Sequence, residues 1–395
     1  MTVDLTSFLV LGTLSLILIS MGLIEYYFHQ KRLSAIPVRI HVNGTRGKSS
    51  VTRLIAAGLR ESGLTTLAKT TGTAPRVIDK YGKDRVIHRL RLPSIGEQIK
   101  LIKFFSTEKP DAVVIECMAL QPQYQWISEH QMIKSNIGVI TNVRPDHIEE
   151  MGPSLSDIAH SLCNTVPTNS VLVSGEKEQS ELIEEVCKSN NTKYIRSEDS
   201  SVDQDVMKKF KYIEHPSNVA VALDVCEQVG VNSDIAIKGM QLVEPDIGAL
   251  VSKIIQFEGS RIRLINAMAA NDPISTLQIW KLVKNLHTER QNICVFFNSR
   301  SDRPLRSKQM IEITFNQIKP NHLIVRGNNI EKAINQFSVN SPKTKVQIIS
   351  SDQPSKVVIS EIIKVPNETI VFAIGNQVGV GQEILNNLLK LNNNG

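Results

Sequence analysis

The chain has 395 residues, 41% of them hydrophobic and 21% charged, with a formal net charge of +6. That length and balance describe a globular protein of two or three domains, each able to bury its own core. No dense Lys/Arg run alternates with aromatic residues, so a nucleic-acid surface is not expected, while the mild basic balance suits an acidic substrate.

The first expected element is a membrane anchor. Residues 5–24 carry no charge, and about 20 residues rising ~1.5 Å each span a ~30 Å hydrocarbon core. Lys31 and Arg32 follow and place the carboxyl side in the cytoplasm, and Tyr26 and Tyr27 suit the interface. A cleaved signal peptide fits poorly, because the start lacks Lys or Arg and no small-x-small site follows. The expectation is therefore a single-pass anchor and connector over 1–34, at the cell membrane, with a cytoplasmic body. Cys117, Cys163, Cys187, Cys226 and Cys294 form no CxxC pair and read as reduced core thiols.

Residues 35–42 read as a strand, 43–47 as a loop, and 49–61 as a helix with Val51, Leu54, Ile55 and Leu59 on one face. A strand, a glycine-containing turn and a helix form the context of a phosphate loop. The loop, NGTRGKSS, supplies Asn43, Gly44, Thr45, Arg46, Gly47, Lys48, Ser49 and Ser50 as candidate nucleotide-binding residues. Its glycines let backbone N–H groups turn toward phosphate, Lys48 reaches the β- and γ-phosphates, and the Ser49 hydroxyl ligates Mg²⁺. The strict eight-residue pattern wants glycine at position 42, where this chain has Val42, so the match is partial.

Buried strands are expected at 112–116 and 137–141, and helices at 154–165, 217–229 and 234–242. This alternation argues for a parallel sheet covered on both faces. Glu116 ends the first of these strands, and Asp146 and His147 follow the second. Ligands of an open parallel sheet gather at that end. Glu116 is thus a candidate Mg²⁺ ligand and His147 a candidate metal ligand, with ordinary capping or surface roles as the alternatives.

The pattern breaks over 244–248, read as a linker that divides 35–244 from 245–395. Beyond it strands are expected at 261–265, 293–297, 322–325, 346–349 and 370–374, and helices at 275–286, 308–318, 355–363 and 380–389. This is a second, smaller α/β domain of Rossmann-like layout, whose last strand ends on the glycine-rich GNQVGVG.

Five motifs in order carry a resemblance: NGTRGKS, the TTGT from Thr70, the ECMA from Glu116, TNVRPDHIEEMGP from Thr141, and HPSNVAVAL from His215, with NAMAANDPISTLQIW beyond them. Together they resemble the Mur-ligase superfamily, and within it the ligase subunit of poly-γ-glutamate synthases of the PgsB/CapB type. The similarity covers about residues 36–302, and the anchor extends it. It implies a Mur-ligase-like α/β fold, with a P-loop ATPase domain and a Rossmann-like carboxyl-terminal domain, and an ADP-forming, ATP-dependent acid–amino-acid ligase. The shorter loop G-T-x-G-K-[ST] is normal there, which accounts for Val42. The resemblance carries the catalytic lysine onto Lys48, Mg²⁺ ligation onto Ser49 and Glu116, a second Mg²⁺ onto His147, and the adenine contact onto Asn218.

The chain departs from the superfamily at its Asp-x-Ala-His-Asn-Pro element, where the His is missing; Asn271 and Asp272 are both candidates to substitute, and Ser301-Asp302-Arg303 resembles the superfamily's Asp-Arg element, which makes Arg303 a candidate nucleotide contact, with a solvated loop pair as the alternative. No counterpart of a carbamylated lysine is assigned, and no nucleotide-sugar-binding first domain is expected. The implied substrates are glutamate and poly-γ-glutamate, with Arg76, Arg89 and Arg91 as candidates along the approach. The implied partners are small membrane subunits of the PgsC and PgsA kind; self-association is open. A folyl-polyglutamate-like ligase and a membrane-anchored P-loop NTPase switch remain the alternative readings.

Overall fold

The computed structural model describes residues 5–71, 75–87, 93–210, 212, 214–243, 251–257, 260–268, 270, 272–286, 292–300 and 302–391. The linker expected over 244–248, Arg89, Arg91 and Asn271 lie outside the described residues. The chain folds as two compact units, divided between Glu244 and Pro245.

The first unit is built on a sheet of eight strands: β1 (Val38–Asn43), β2 (Thr66–Thr70), β3 (Arg76–Ile78), β4 (Asp84–Val86), β5 (Ala112–Glu116), β6 (Ile137–Ile140), β7 (Val171–Ser174) and β8 (Lys193–Arg196). Their order is β4-β3-β2-β5-β1-β6-β7-β8. Strands β2, β5, β1, β6, β7 and β8 are parallel, and β3 and β4 add an antiparallel edge. Every residue of β5 and β6 is buried, which is why both read as unbroken apolar runs. The chain leaves β1 for β2 on one side, returns to fill the gap with β5, and then crosses to β6 on the other side. The order reverses around β1, and a crevice outside its carboxyl end is the expected ligand position.

The first helix runs from Leu5 to Ser34 without a break. Phe8–Ser34 is the one described helix long and apolar enough, by length and composition, to cross a membrane. Its last turns are part of the folded body. Leu33 packs in a core cluster with Ile36, Ile102, Phe105 and Ile133. A ring nitrogen of His29 lies 2.8 Å from the Met132 carbonyl. The strand expected from residue 35 therefore begins only at Val38, because the helix keeps its buried face to Leu33 before the chain turns.

The second unit carries β9 (Val251–Phe257), β10 (Ser260–Asn266), β11 (Ile293–Asn298), β12 (His322–Arg326), β13 (Lys345–Ile349) and β14 (Thr369–Gly375). Their order is β13-β12-β11-β14-β10-β9, with only the edge strand β9 antiparallel. Its core joins Ile262, Phe296, Ile324, Val371 and Leu385. The glycine-rich stretch turns the chain after β14: Gly375 has φ of 94°, and a Cβ there would lie 2.3 Å from the Asn298 carbonyl oxygen. All five cysteines are free and buried, as their apolar settings suggest.

Candidate active site

The phosphate loop is pinned to the end of β6 by backbone geometry that only glycine allows. Gly44 has φ of 129°, and a Cβ on it would fall 2.0 Å from Thr141 Oγ1. The Thr45 N–H donates to the Asn142 carbonyl at 3.0 Å, and the Asn142 side chain accepts from Thr45 Oγ1 at 2.8 Å and from the Arg46 N–H at 3.1 Å. Thr141 Oγ1 and Asn142 Nδ2 donate in turn to the Arg46 carbonyl, at 2.6 and 3.0 Å. Gly47, at φ of 79°, caps the helix Lys48–Glu61. The first N–H groups of that helix have no partner within it and carry its positive end, as an anion site requires. Lys48 folds back over the loop, its Nζ donating to the Gly44 carbonyl at 2.6 Å.

Ser49 and Glu116 meet across the crevice. Ser49 Oγ donates to Glu116 Oε2 at 2.8 Å. The same carboxylate accepts from the Thr71 N–H at 2.7 Å and from Thr71 Oγ1 at 2.5 Å. Glu116 is only 2% exposed, so three donors hold it at the strand end. Asn218 closes the other side: a Cβ on Gly47 would lie 2.6 Å from its Oδ1. Asn218 Nδ2 donates to Glu214 Oε1 at 2.8 Å, as does the His215 N–H at 2.8 Å. Burial pushes the Glu214 carboxyl above the usual carboxylate range, and burial followed by the nearby Glu214 raises the Tyr212 phenol as well.

Not every candidate faces the crevice. Asn43 spends its amide inside the fold, donating to Gln125 Oε1 at 2.8 Å and Thr165 Oγ1 at 3.1 Å. His147 has φ of 44° and sits with Asp146, whose Oδ2 lies 3.8 Å from its Nε2 and 3.4 Å from Arg46 Nη2, and with Glu150 at 3.9 Å. The structure thus joins Ser49 to Glu116, and His147 to Asp146 and Glu150. No group of three His, Cys, Asp or Glu side chains suited to one ion occurs among the described residues. A Mg²⁺ ion does not need one: a carboxylate and a hydroxyl suffice when phosphate oxygens and water complete the octahedron. Arg76 shares Asp84 with Arg53, at 3.3 Å and 2.6 Å. Asp272 and Arg303 belong to the second unit. Asp272 Oδ1 accepts from the Ser275 N–H at 2.9 Å at the start of Pro273–Leu286, and Arg303 precedes the helix Pro304–Ile313 beyond β11.

Sequence reading passed over Thr71, Asn142 and Glu214, although each lies inside or beside a quoted motif. It also passed over a buried pair beneath the loop. His41 on β1 is fully buried, with Nδ1 2.8 Å from Glu129 Oε2. Glu129 lies in a π-helical turn, Ser128–Ile133, and its other oxygen accepts from the Ser135 N–H and Oγ at 2.8 and 2.9 Å. Burial alone would depress the His41 pKa, but the Cys117 sulfur and the Glu129 carboxylate outweigh it and push it up to about 9. A base whose pKa is raised on folding stabilises the fold below its unfolded value, near 6.5, and loses that contribution as pH climbs through the folded one. Stability should therefore fall as pH rises from ~6.5 through ~9. Thermal melts of Glu129→Gln should be flatter over that window than those of the unaltered protein; parallel curves would mean that Glu129 does not set the protonation of His41.

Comparison with known proteins agrees with this architecture. Residues 42–245 match the Mur ligase middle domain, and residues 251–391 match the poly-gamma-glutamate synthase CapB C-terminal domain. The chain is 33% identical over 383 residues to the capsule biosynthesis protein CapB of Bacillus anthracis, covering 96% of this chain and 82% of that one. It is 33% identical over 373 residues to the PGA synthase CapB of Bacillus subtilis, covering 93% and 94%. Among solved structures, E. coli FolC in complex with ADP superposes with a TM-score of 0.68 at 14% identity, over 94% of this chain and 95% of that one. MurF from Acinetobacter baumannii gives 0.67 at 14% identity, over 94% and 80%. At such identity these two attest the fold alone. The chain belongs to the CapB family of poly-γ-glutamate synthases and is an ATP-dependent amide ligase of the Mur type.

Proposed function

We propose that the protein lengthens poly-γ-glutamate at the cytoplasmic face of the cell membrane, by activating a chain-terminal carboxylate with ATP and joining it to the amine of glutamate. The observation that carries this is the Ser49–Glu116 hydrogen bond, 2.8 Å long, beside a phosphate loop in a chain 33% identical to a PGA synthase over 373 residues.

A carboxylate is a poor electrophile for an amine, and an acyl phosphate is a good one. The helix N-terminus at Lys48 would receive the β- and γ-phosphates, and Lys48 would move its ammonium from the Gly44 carbonyl to the phosphate oxygens. Ser49 and Glu116 would hold Mg²⁺, and Thr71 fixes the Glu116 carboxylate for that task. Bound there, the ion spreads the charge that develops on phosphoryl transfer. His147, with Asp146 and Arg46, would address a second Mg²⁺ or the transferring phosphoryl group. Asn218, held by Glu214 against Gly47, would contact the adenine, and Asp272 and Arg303 are kept as candidate nucleotide contacts. The acceptor carboxylate attacks phosphorus with loss of ADP, and the glutamate amine then displaces phosphate through a tetrahedral intermediate. Anchoring by the Phe8–Ser34 helix would keep the polymer beside small membrane subunits of the PgsC and PgsA kind that export it.

The test uses the full chain in detergent with such partners, ATP, Mg²⁺, glutamate and a γ-linked acceptor. ADP release should depend on glutamate, and hydroxylamine should capture the activated carboxyl as a hydroxamate. ADP release indifferent to every amino acid, with no hydroxamate, would leave an NTPase switch instead; release that requires a folate would leave a folyl-polyglutamate-like ligase.

A further inference from the structure

The phosphate-loop helix also lines a cavity of about 450 Å³ with its carboxyl half. The turn between β3 and β4 and residues 239–243 form the other walls. Arg53, Arg60, Lys80 and Lys83 face it against one carboxylate, Glu61. Glu61 is engaged by Lys238 at 2.9 Å and Lys80 by Glu108 at 3.0 Å. Arg53 gives two nitrogens to Asp84, at 2.9 and 2.6 Å. Arg60 bonds a backbone carbonyl, that of Thr66 at 3.4 Å, and neither Arg60 nor Lys83 makes an ion pair among the described residues. Withdrawing a guanidinium from water is costly, and burial lowers the Arg60 pKa to about 10 although Asp79 and Asp84 act on it in the opposite sense. An anionic ligand would offset that cost.

The chemistry of the walls selects among anions. Among the described residues no helix N-terminus lines the cavity, and its charge comes from separate side chains. Arg53 and Arg60 are seven residues apart, about 10 Å along the helix. Ile78 and Leu242 supply apolar wall beside the cations. A γ-linked glutamate chain has this character, with a free α-carboxylate on each residue and methylenes between. Arg53 lies one turn beyond Ser49, so the cavity starts about 6 Å along the helix from the phosphate cradle.

We propose that this cavity is a subsite for the tail of the acceptor chain, with Arg60 and Lys83 taking its α-carboxylates. The proposal rests on the polyglutamate reading above for its ligand. The test compares the full chain with Arg60→Gln/Lys83→Gln, using γ-linked glutamate dimer and decamer as acceptors and a fluorescein-labelled decamer for binding by anisotropy. In the unaltered protein the decamer should have the lower KM. The double variant should raise the decamer KM and Kd about tenfold, and leave the dimer KM and the KM for ATP unchanged. Should the double variant fail to fold, Lys83→Gln alone, at an exposed turn position, should move the decamer KM in the same direction. The proposal is overturned if the folded variants bind and use the decamer like the unaltered protein, or if single-stranded DNA of equal charge displaces the decamer as well as unlabelled decamer does. Absence of glutamate-dependent ADP release with any acceptor sinks the polyglutamate reading, and the anisotropy arm then decides the subsite by itself.

Discussion

Glu116→Gln should lower glutamate-dependent ADP release at least about a hundredfold without unfolding the protein. The carboxylate ends β5, 2% exposed, with Ser49 Oγ and both donors of Thr71 upon it. Glutamine keeps the volume and one carbonyl oxygen. Its NH₂ must then face at least one of those donors, and it brings no charge to a divalent ion. Among the residues brought together at the crevice, Glu116 is the anion bonded to Ser49, so its neutralisation should weaken the grip on Mg²⁺ before anything else. The Mg²⁺ concentration for half-maximal rate should rise, and high Mg²⁺ should restore part of the loss. Rate against Mg²⁺, read beside a thermal melt, separates the roles. Unchanged Mg²⁺ dependence would make Glu116 a strut for Thr71 and Ser49 and nothing more.

Much of the scaffold under this site was open to sequence reading because central parallel strands are buried on both faces. AVVIE and IGVI can hardly be anything but interior strands, and their carboxyl ends locate Glu116 and the Thr141–His147 segment. The phosphate-loop helix was equally plain from its apolar face. Other parts carried no such mark. β2 reads TLAKT, yet all five residues are buried, Lys69 among them at 1% exposure, because β3 and β5 flank it. β7 and β8 are four residues each, too short for any period to show. The helical run through Ser34 looked like a connector, since its burial depends on Ile102 and Phe105 far along the chain. The polar residues that set the geometry of the site share that character. Thr71 matters through Glu116, Glu214 through Asn218, and Glu129 through His41, each pair separated in sequence or fixed by a turn whose shape only the fold supplies. The basic cavity is the extreme case: Arg53 and Arg60 look like the solvated face of a helix until the β3–β4 turn closes over them.

Lys48→Ala should reduce kcat/KM for ATP by about a thousandfold or more, some 4 kcal/mol of transition-state stabilisation. The ammonium rests on the Gly44 carbonyl at 2.6 Å, an internal contact weaker than one to nucleotide phosphates with their full negative charge. Alanine is the best helix former and Lys48 opens the helix Lys48–Glu61, so the substitution should not cost the fold. The loop keeps its shape by other means, since Asn142 and Thr141 hold Thr45 and Arg46 whatever stands at position 48. That independence makes the variant informative. If the loop only scaffolds β1 and β6, removing the ammonium should change little. If it cradles transferring phosphate, turnover should collapse while the melting temperature stays within a few degrees, and Lys48→Arg should not rescue it, because a planar fork cannot occupy the place of a compact point charge over Gly44. Nucleotide binding followed by fluorescent ADP displacement completes the distinction: an affinity loss much smaller than the rate loss puts the lysine on the phosphoryl group in flight, and equal losses put it on the ground state alone.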